Sequence, residues 1–189
     1  MREQLYKTIE GRMGVHEGKD FERDLFGLPR VGDPKYREEL SKISGSSGYV
    51  PFAPAFELSQ KIQPTHHRPF ATKLTHEVAN ALRKDKSRNN LKVRFWTTVE
   101  TPLDTFHGTD AIMEVLEDGY KPEMIRLGAT TANQDVKERR EAKKADLEIE
   151  SSWLNVEDEE KLTKEKIPQL ANQIKSFFDK RRIPDQKAA

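Results

Sequence analysis

Cysteine is absent from the sequence, which excludes disulfides, cysteine-ligated zinc or iron–sulfur sites and a thiol nucleophile. Long apolar runs are absent too, so no membrane-spanning helix is predicted. The amino-terminal segment lacks the apolar stretch of a secretory signal, and we therefore expect a soluble, cytoplasmic protein without a membrane partner. An excess of charge of one sign is also lacking, because 33 Lys and Arg face 32 Asp and Glu for a net charge of +1. The total charge therefore does not by itself indicate a nucleic-acid partner.

Hydrophobic residues make up 34% of the 189-residue chain, the same share as charged residues. The hydrophobic positions concentrate between residues 70 and 150 and near the carboxyl terminus. We therefore divide the chain into four parts. These are a flexible or helical N-terminal arm (1–48), an irregular proline-rich connection (49–70), an α+β domain (71–182) and a tail (183–189).

The order of predicted elements favours an α+β fold. Apolar spacing in the arm predicts short helices over 5–13 and 34–43. The domain is predicted to contain a helix (72–86), a strand (91–100), a loop through Pro102, strands at 109–116 and 123–131 joined by an Asp118-Gly119 turn, a charged segment (135–144), a strand (145–149) and an amphipathic helix from Ile167 to Phe178. Sequential strands joined by tight turns predict a mixed or antiparallel sheet of about four strands flanked by helices.

Two carboxylates in the second strand are the sharpest candidates for chemistry. Asp110 and Glu114 fall on the same strand face, and we expect them to lie about 7 Å apart. Carboxylate oxygens at that spacing would hold Mg²⁺, which polarises a phosphodiester and lowers the pKa of bound water. The alternative is that both residues belong to a solvent-exposed face, where acidic residues are ordinary.

A family resemblance adds to this pattern. The segments Gly108-Thr109-Asp110 and Lys143-Lys144-Ala145-Asp146, with 125–131 between them, resemble the PD-(D/E)XK nuclease superfamily over about residues 70–150. The resemblance implies a restriction-endonuclease-like fold and Mg²⁺-dependent phosphodiester hydrolysis. It implies that Asp110 and Glu114 are metal ligands and that Glu77, on the preceding helix, is a further carboxylate.

The sequence departs from the pattern of this superfamily in the third strand. Where the superfamily has (D/E)-x-K, this chain has Gly128-Ala129-Thr130. Glycine supplies no ligand and threonine supplies no cation, so Lys144 (or Lys143) is the candidate for the catalytic lysine. The resemblance therefore implies a degenerate metal site.

Two classes of function follow. One is a nuclease-like domain that acts on or binds nucleic acid, with Asp110, Glu114, Glu77 and Lys144 as its catalytic residues. Basic groups at 83–88, 137–144 and 180–182 would contact the phosphate backbone. The alternative is a non-enzymatic interaction or scaffold protein that self-associates through its N-terminal arm or its C-terminal helix.

Overall fold

The computed structural model describes residues 18–130, 145–150 and 162–183. Six α-helices and four strands form in these ranges. They are α1 (Gly18–Phe26), α2 (Pro34–Ile43), α3 (Phe52–Lys61), α4 (Pro69–Arg83), β1 (Lys92–Thr97), α5 (Pro102–His107), β2 (Ala111–Leu116), β3 (Glu123–Thr130), β4 (Leu147–Glu150) and α6 (Ile167–Arg181), with a π-helical turn at Leu162–Lys166 before α6. None of the helices in the described ranges combines the length and the apolar character that crossing a bilayer requires. The predicted α+β fold is confirmed.

The strands form one open mixed sheet in the order β1-β2-β3-β4. The pairs β1–β2 and β2–β3 are antiparallel, whereas β3 and β4 run parallel. The predicted turn at Asp118-Gly119 connects β2 to β3, and Gly119 has a φ of 79°. Glycine suits this position because a left-handed backbone carries no steric cost there.

One face of the sheet carries the main core. Alternate residues of β3 (Ile125, Leu127 and Ala129) point into it together with Phe95 of β1 and Ile149 of β4. The predicted stripe of α6 packs onto this face beside α4, and its buried members are Ile167, Leu170, Ala171, Ile174 and Phe178. These members of the stripe are thus covered within the chain, and Phe177 is partly buried beside them.

The opposite face is covered in part by α3 and α5. Ala55 and Phe56 of α3 and Leu103 of α5 are buried against Ile112 of β2. Because strand side chains alternate, the residues of β2 beside Ile112 point into the main core instead. Ile112 and the residues packed against it form a second hydrophobic cluster, and none of the described residues in it belongs to β3 or β4.

The connection at 49–70 is expected to be irregular, but the structure shows that it is largely helical. It contains α3, and α4 begins at Pro69. Proline usually interrupts a helix, but Pro51 is the N-cap residue of α3 and Pro54 lies in its first turn. A missing N–H at these positions breaks no intrahelical hydrogen bond. The helix forms because Ala55, Phe56 and Leu58 on one side are buried.

The described part of the arm, residues 18–48, is helical, which is one of the two forms expected for it, and it also contributes to the core. Residues 18–26 form α1, which places Leu25 and Phe26 in the main core. The predicted second arm helix is confirmed as α2, with Pro34 in its first turn and Asp33 accepting a hydrogen bond from the Lys35 N–H at 2.9 Å. The predicted helix at 5–13 and the charged segment at 135–144 lie outside the described residues.

Candidate metal centre

Three carboxylates from three different elements converge at one end of the sheet. Glu22 belongs to α1 and Asp104 to α5, and Asp110 is the residue just before β2. One oxygen of each lies within 4.8 Å of the others. All three residues are at most 9% exposed. Hereafter these residues are called the carboxylate cluster.

Asp104 is held by the short helix α5, where the sequence predicts a loop. Thr101 caps the helix by accepting a hydrogen bond from the Leu103 N–H at 3.2 Å, and Pro102 occupies its first turn. Gly108 ends it with a left-handed backbone (φ 54°) that returns the chain to the sheet. The Glu100 N–H donates to Asp104 Oδ2 at 2.7 Å, which orients the carboxylate.

Asp110 is held by backbone groups on both sides of β2. Its N–H donates to the Leu127 carbonyl and its carbonyl accepts from the Thr98 N–H, both at 2.9 Å. Its side chain accepts a hydrogen bond from the Ala129 N–H at 2.8 Å. The carboxylate is therefore tied to β3 and has little freedom to turn away.

Lys19 supplies a positive charge to the cluster from the first turn of α1. Its ammonium donates to Asp104 Oδ1 at 2.7 Å and Oδ2 at 2.6 Å, and to Glu22 Oε2 at 2.9 Å. The Lys19 side chain is nevertheless 50% exposed. Three carboxylates thus face one ammonium.

Burial, together with the excess of negative charge, shifts the pKa values of Asp110 and Glu22 in the cluster. Burial, followed by repulsion from Glu22 and then Asp104, raises the pKa of Asp110 to about 7, although the Ala129 N–H and Lys19 favour its charged form. Burial also raises the pKa of Glu22. Burial alone would lower the pKa of Lys19, but its hydrogen bonds to Asp104 and Glu22 outweigh this and raise the pKa.

Glu114 does not join this cluster. Residues four positions apart on an extended strand are separated by about 13 Å, so the expected 7 Å between Asp110 and Glu114 was wrong. Glu114 instead lies 3.6 Å from the Arg94 guanidinium and accepts a hydrogen bond from Trp96 Nε1 at 3.4 Å. The alternative, that Asp110 and Glu114 belong to a solvent-exposed face of the strand, is wrong as well, since the two residues are only 6% and 8% exposed.

The other predicted site residues are not brought to the cluster in the described ranges. Glu77 lies on α4 with a 30% exposed side chain, 3.8 Å from His76. Lys143 and Lys144 lie outside the described residues.

Gly128 of β3 lies near the side chain of Asp110. A Cβ at Gly128 would lie 3.8 Å from Asp110 Oδ2, but also 3.1 Å from the Cβ of Ala145 and 3.5 Å from the Cγ of Glu148. Glu148 is the register partner of Gly128 on β4. The side chains of Glu148 on β4 and of Ala145 just before β4 therefore approach the space that a carboxylate at position 128 would fill.

Sequence reasoning missed Lys19, Glu22 and Asp104. The Thr101-Pro102 start of α5 is a recognisable helix signal that would have placed Asp104 in a helix. No sequence signal connects α1 to Asp110, because that contact arises from packing of Leu25 and Phe26 in the core.

No family model, curated protein or solved structure matches the chain. The resemblance to PD-(D/E)XK nucleases therefore rests on the motifs quoted above.

Proposed function

We propose that the chain is a nuclease-like domain that binds nucleic acid and hydrolyses phosphodiesters with Mg²⁺ or Mn²⁺ held by Glu22, Asp104 and Asp110. The supporting observation is the burial of three carboxylates against one ammonium, which raises the pKa of Asp110 to about 7. Strongly perturbed carboxyl groups of this kind are enriched at functional sites.

The donor set fits such a cation. Carboxylate oxygens are the ligands that Mg²⁺ and Mn²⁺ prefer, and Mg²⁺ is usually held by one or two carboxylates together with water and substrate phosphates. A cation bound there would polarise the phosphodiester and acidify a water molecule. The protein's own contribution is orientation, because backbone N–H groups fix Asp104 and Asp110.

Three exposed basic residues near the end of α4 support contact with a phosphate backbone. Arg83, Lys84 and Lys86 are exposed. Two other basic candidates are engaged within the protein, since Arg88 and Arg182 both pair with the buried carboxylate of Glu117. The proposed contact surface is therefore smaller than the sequence indicates.

The test is hydrolysis of labelled single-stranded DNA, double-stranded DNA and RNA with Mg²⁺, with Mn²⁺ and with EDTA. We expect metal-dependent cleavage by the wild type. Asp110→Asn should lower the rate by about 100-fold or more, because even outer-shell changes at metal sites cost about 10- to 100-fold. The matched control is Glu38→Gln, an exposed carboxylate on α2 that pairs with Lys42.

Two results would contradict the proposal. The first is an absence of cleavage combined with no Mn²⁺ binding by calorimetry. The second is equal activity of the wild type and Asp110→Asn. A loss in Glu114→Gln as large as that in Asp110→Asn would instead restore the assignment of Glu114 as a ligand.

A second candidate is a nucleic-acid-binding domain without catalysis. The observation that favours it is Lys19, which already pairs with two of the three carboxylates, together with Gly128 and Thr130 in place of a carboxylate and a lysine. This candidate predicts nucleic-acid binding that weakens with salt and is unchanged by EDTA or by Asp110→Asn.

A further inference from the structure

The sheet has a second face, opposite the main core, and the helices cover only part of it. Even-numbered residues of β1, β2 and β3 point to this face, because the odd-numbered residues point into the main core. Helices α3 and α5 cover the face at Ile112. In the described part of the chain, the remainder of the face carries exposed or partly exposed side chains, namely those of Lys92, Arg94, Leu116, Met124 and Arg126. Hereafter these five residues are called the basic sheet surface.

The cations of the basic sheet surface are more exposed than the carboxylates beside them. The side chain of Arg94 is 46% exposed, whereas that of Glu114, 3.6 Å away, is 11% exposed. The side chain of Arg126 is 36% exposed, whereas that of Asp146, 3.2 Å away, is 13% exposed. Lys92 is exposed as well. A partner that approaches this face therefore meets ammonium and guanidinium groups before it meets carboxylates, which favours an anionic partner.

The basic sheet surface is small and has a defined end. It spans three neighbouring strands, which is about 10 Å, and it extends over four residues from Lys92 to the level of Arg126, which is about 13 Å. Glu148 of β4 lies level with Gly128, beyond this length, and Glu150 lies further still. The positive surface therefore ends before the carboxylates of β4 begin.

Exposed apolar side chains lie among these cations. Met124 is 37% exposed and lies two positions from Arg126 on the same face of β3. Leu116 is partly exposed opposite Lys92. Bases of single-stranded nucleic acid are unpaired and pack on apolar and aromatic side chains, whereas a duplex presents mainly phosphates to a flat surface. The combination of cations with exposed apolar side chains therefore favours a single strand.

We propose that the basic sheet surface binds single-stranded nucleic acid, with Lys92, Arg94 and Arg126 contacting phosphates and Met124 contacting a base. None of these residues belongs to the basic groups at 83–88, 137–144 and 180–182. This inference rests on the proposed function in taking nucleic acid as the partner, but it requires neither a bound cation nor cleavage.

The test is binding of labelled single-stranded DNA, single-stranded RNA and duplex DNA to the full chain in EDTA, measured by fluorescence anisotropy. We expect both single strands to bind more tightly than the duplex. Arg94→Gln and Lys92→Gln should each weaken single-strand binding about threefold to tenfold at about 0.15 M salt, and should lower the slope of log K against log salt by about 0.7, as the loss of one phosphate contact implies. Arg94→Lys keeps the charge and should retain most of the affinity. The matched controls are Arg37→Gln and Lys35→Gln, at exposed residues of α2, which should change neither quantity.

A second change separates base contact from phosphate contact. Met124→Ala should weaken single-strand binding about threefold or more while leaving the salt dependence unchanged, because a base contact releases no counterion. Circular dichroism verifies that each variant is folded.

Four results would overturn the inference. These are wild-type affinity in both Arg94→Gln and Lys92→Gln, an equal loss in the α2 controls, duplex binding as tight as single-strand binding, and binding of an acidic peptide that depends on Arg94 when no oligonucleotide binds.

The outcome also separates this inference from the nuclease proposal. If the variants of the basic sheet surface weaken single-strand binding while the wild type cleaves no nucleic acid with Mg²⁺ or Mn²⁺, the binding surface is established and the nuclease proposal fails. If the wild type cleaves nucleic acid and these variants bind it as tightly as the wild type, the inference fails and the nuclease proposal remains.

Discussion

Replacing Asp110 by asparagine should make the protein more stable at alkaline pH. The pKa of Asp110 is raised from 3.8 to about 7 in the folded protein. Between these two values the folded state holds a proton that the unfolded state has lost, so the free energy of unfolding falls as the pH rises. Asparagine carries no charge and retains an oxygen that can accept the hydrogen bond of the Ala129 N–H.

The magnitude follows from the two pKa values. A tenfold change in proton affinity corresponds to about 1.4 kcal/mol, so ionised Asp110 costs the folded state about 4 kcal/mol at pH 8. At pH 5 the cost is only about 2 kcal/mol, because most of the folded protein still holds the proton. Between pH 5 and pH 8, the free energy of unfolding of the wild type should therefore fall by about 2–3 kcal/mol more than that of Asp110→Asn.

Urea unfolding followed by circular dichroism, in EDTA at pH 5, 6, 7 and 8, measures this difference. Asp118→Asn is the matched control, since Asp118 is exposed and accepts one hydrogen bond from Asn90 at 2.6 Å. Saturating Mn²⁺ should recover stability at pH 8 in the wild type and not in Asp110→Asn. Identical pH dependence of the wild type and Asp110→Asn would refute the electrostatic argument.

Two further predictions concern the fold. Glu117→Gln should cost about 3 kcal/mol in urea unfolding, since it removes the buried carboxylate that Arg88 (side chain 1% exposed) and Arg182 share, and leaves Arg88 only its pair with Asp179. Glu38→Gln, at an exposed pair, should cost less than about 1 kcal/mol, and equal effects would show that burial of the pair is unimportant. Phe26→Ala should lower the free energy of unfolding by about 3–5 kcal/mol because it opens a cavity in the main core. If it lowers this free energy no more than Leu28→Ala, at an exposed residue, then α1 does not contribute to the stability of the core.

The elements whose periodicity is clear could be predicted from the sequence. The alternation in β3 and the stripe of α6 each report which side of one element is buried, and the Asp118-Gly119 pair reports a tight turn. These signals are local, since each depends on neighbouring residues of a single segment. The sequence does not predict helix α3, because Pro51 and Pro54 favour an irregular segment on local grounds, although both lie where a helix tolerates proline.

The candidate site could be predicted only in part. Asp110 was found because its spacing and the Gly108-Thr109-Asp110 motif are local features. Glu114 was assigned with it because both share a strand face, but a shared face does not bring residues four positions apart into contact. Its partners are instead Arg94 and Trp96 on the neighbouring strand β1.

The sequence by itself determined the absence of thiol chemistry, the α+β class, the strand faces and the choice of Asp110 as a candidate site residue. Only the tertiary structure decided that Asp110 is buried beside Glu22 and Asp104, and that Lys19 reaches Asp104 across 85 positions of the chain. The physical reason is that burial of Leu25 and Phe26 in the core places α1 at the end of the sheet. Hydrophobic packing, rather than any motif, therefore brings the charges of the candidate site together.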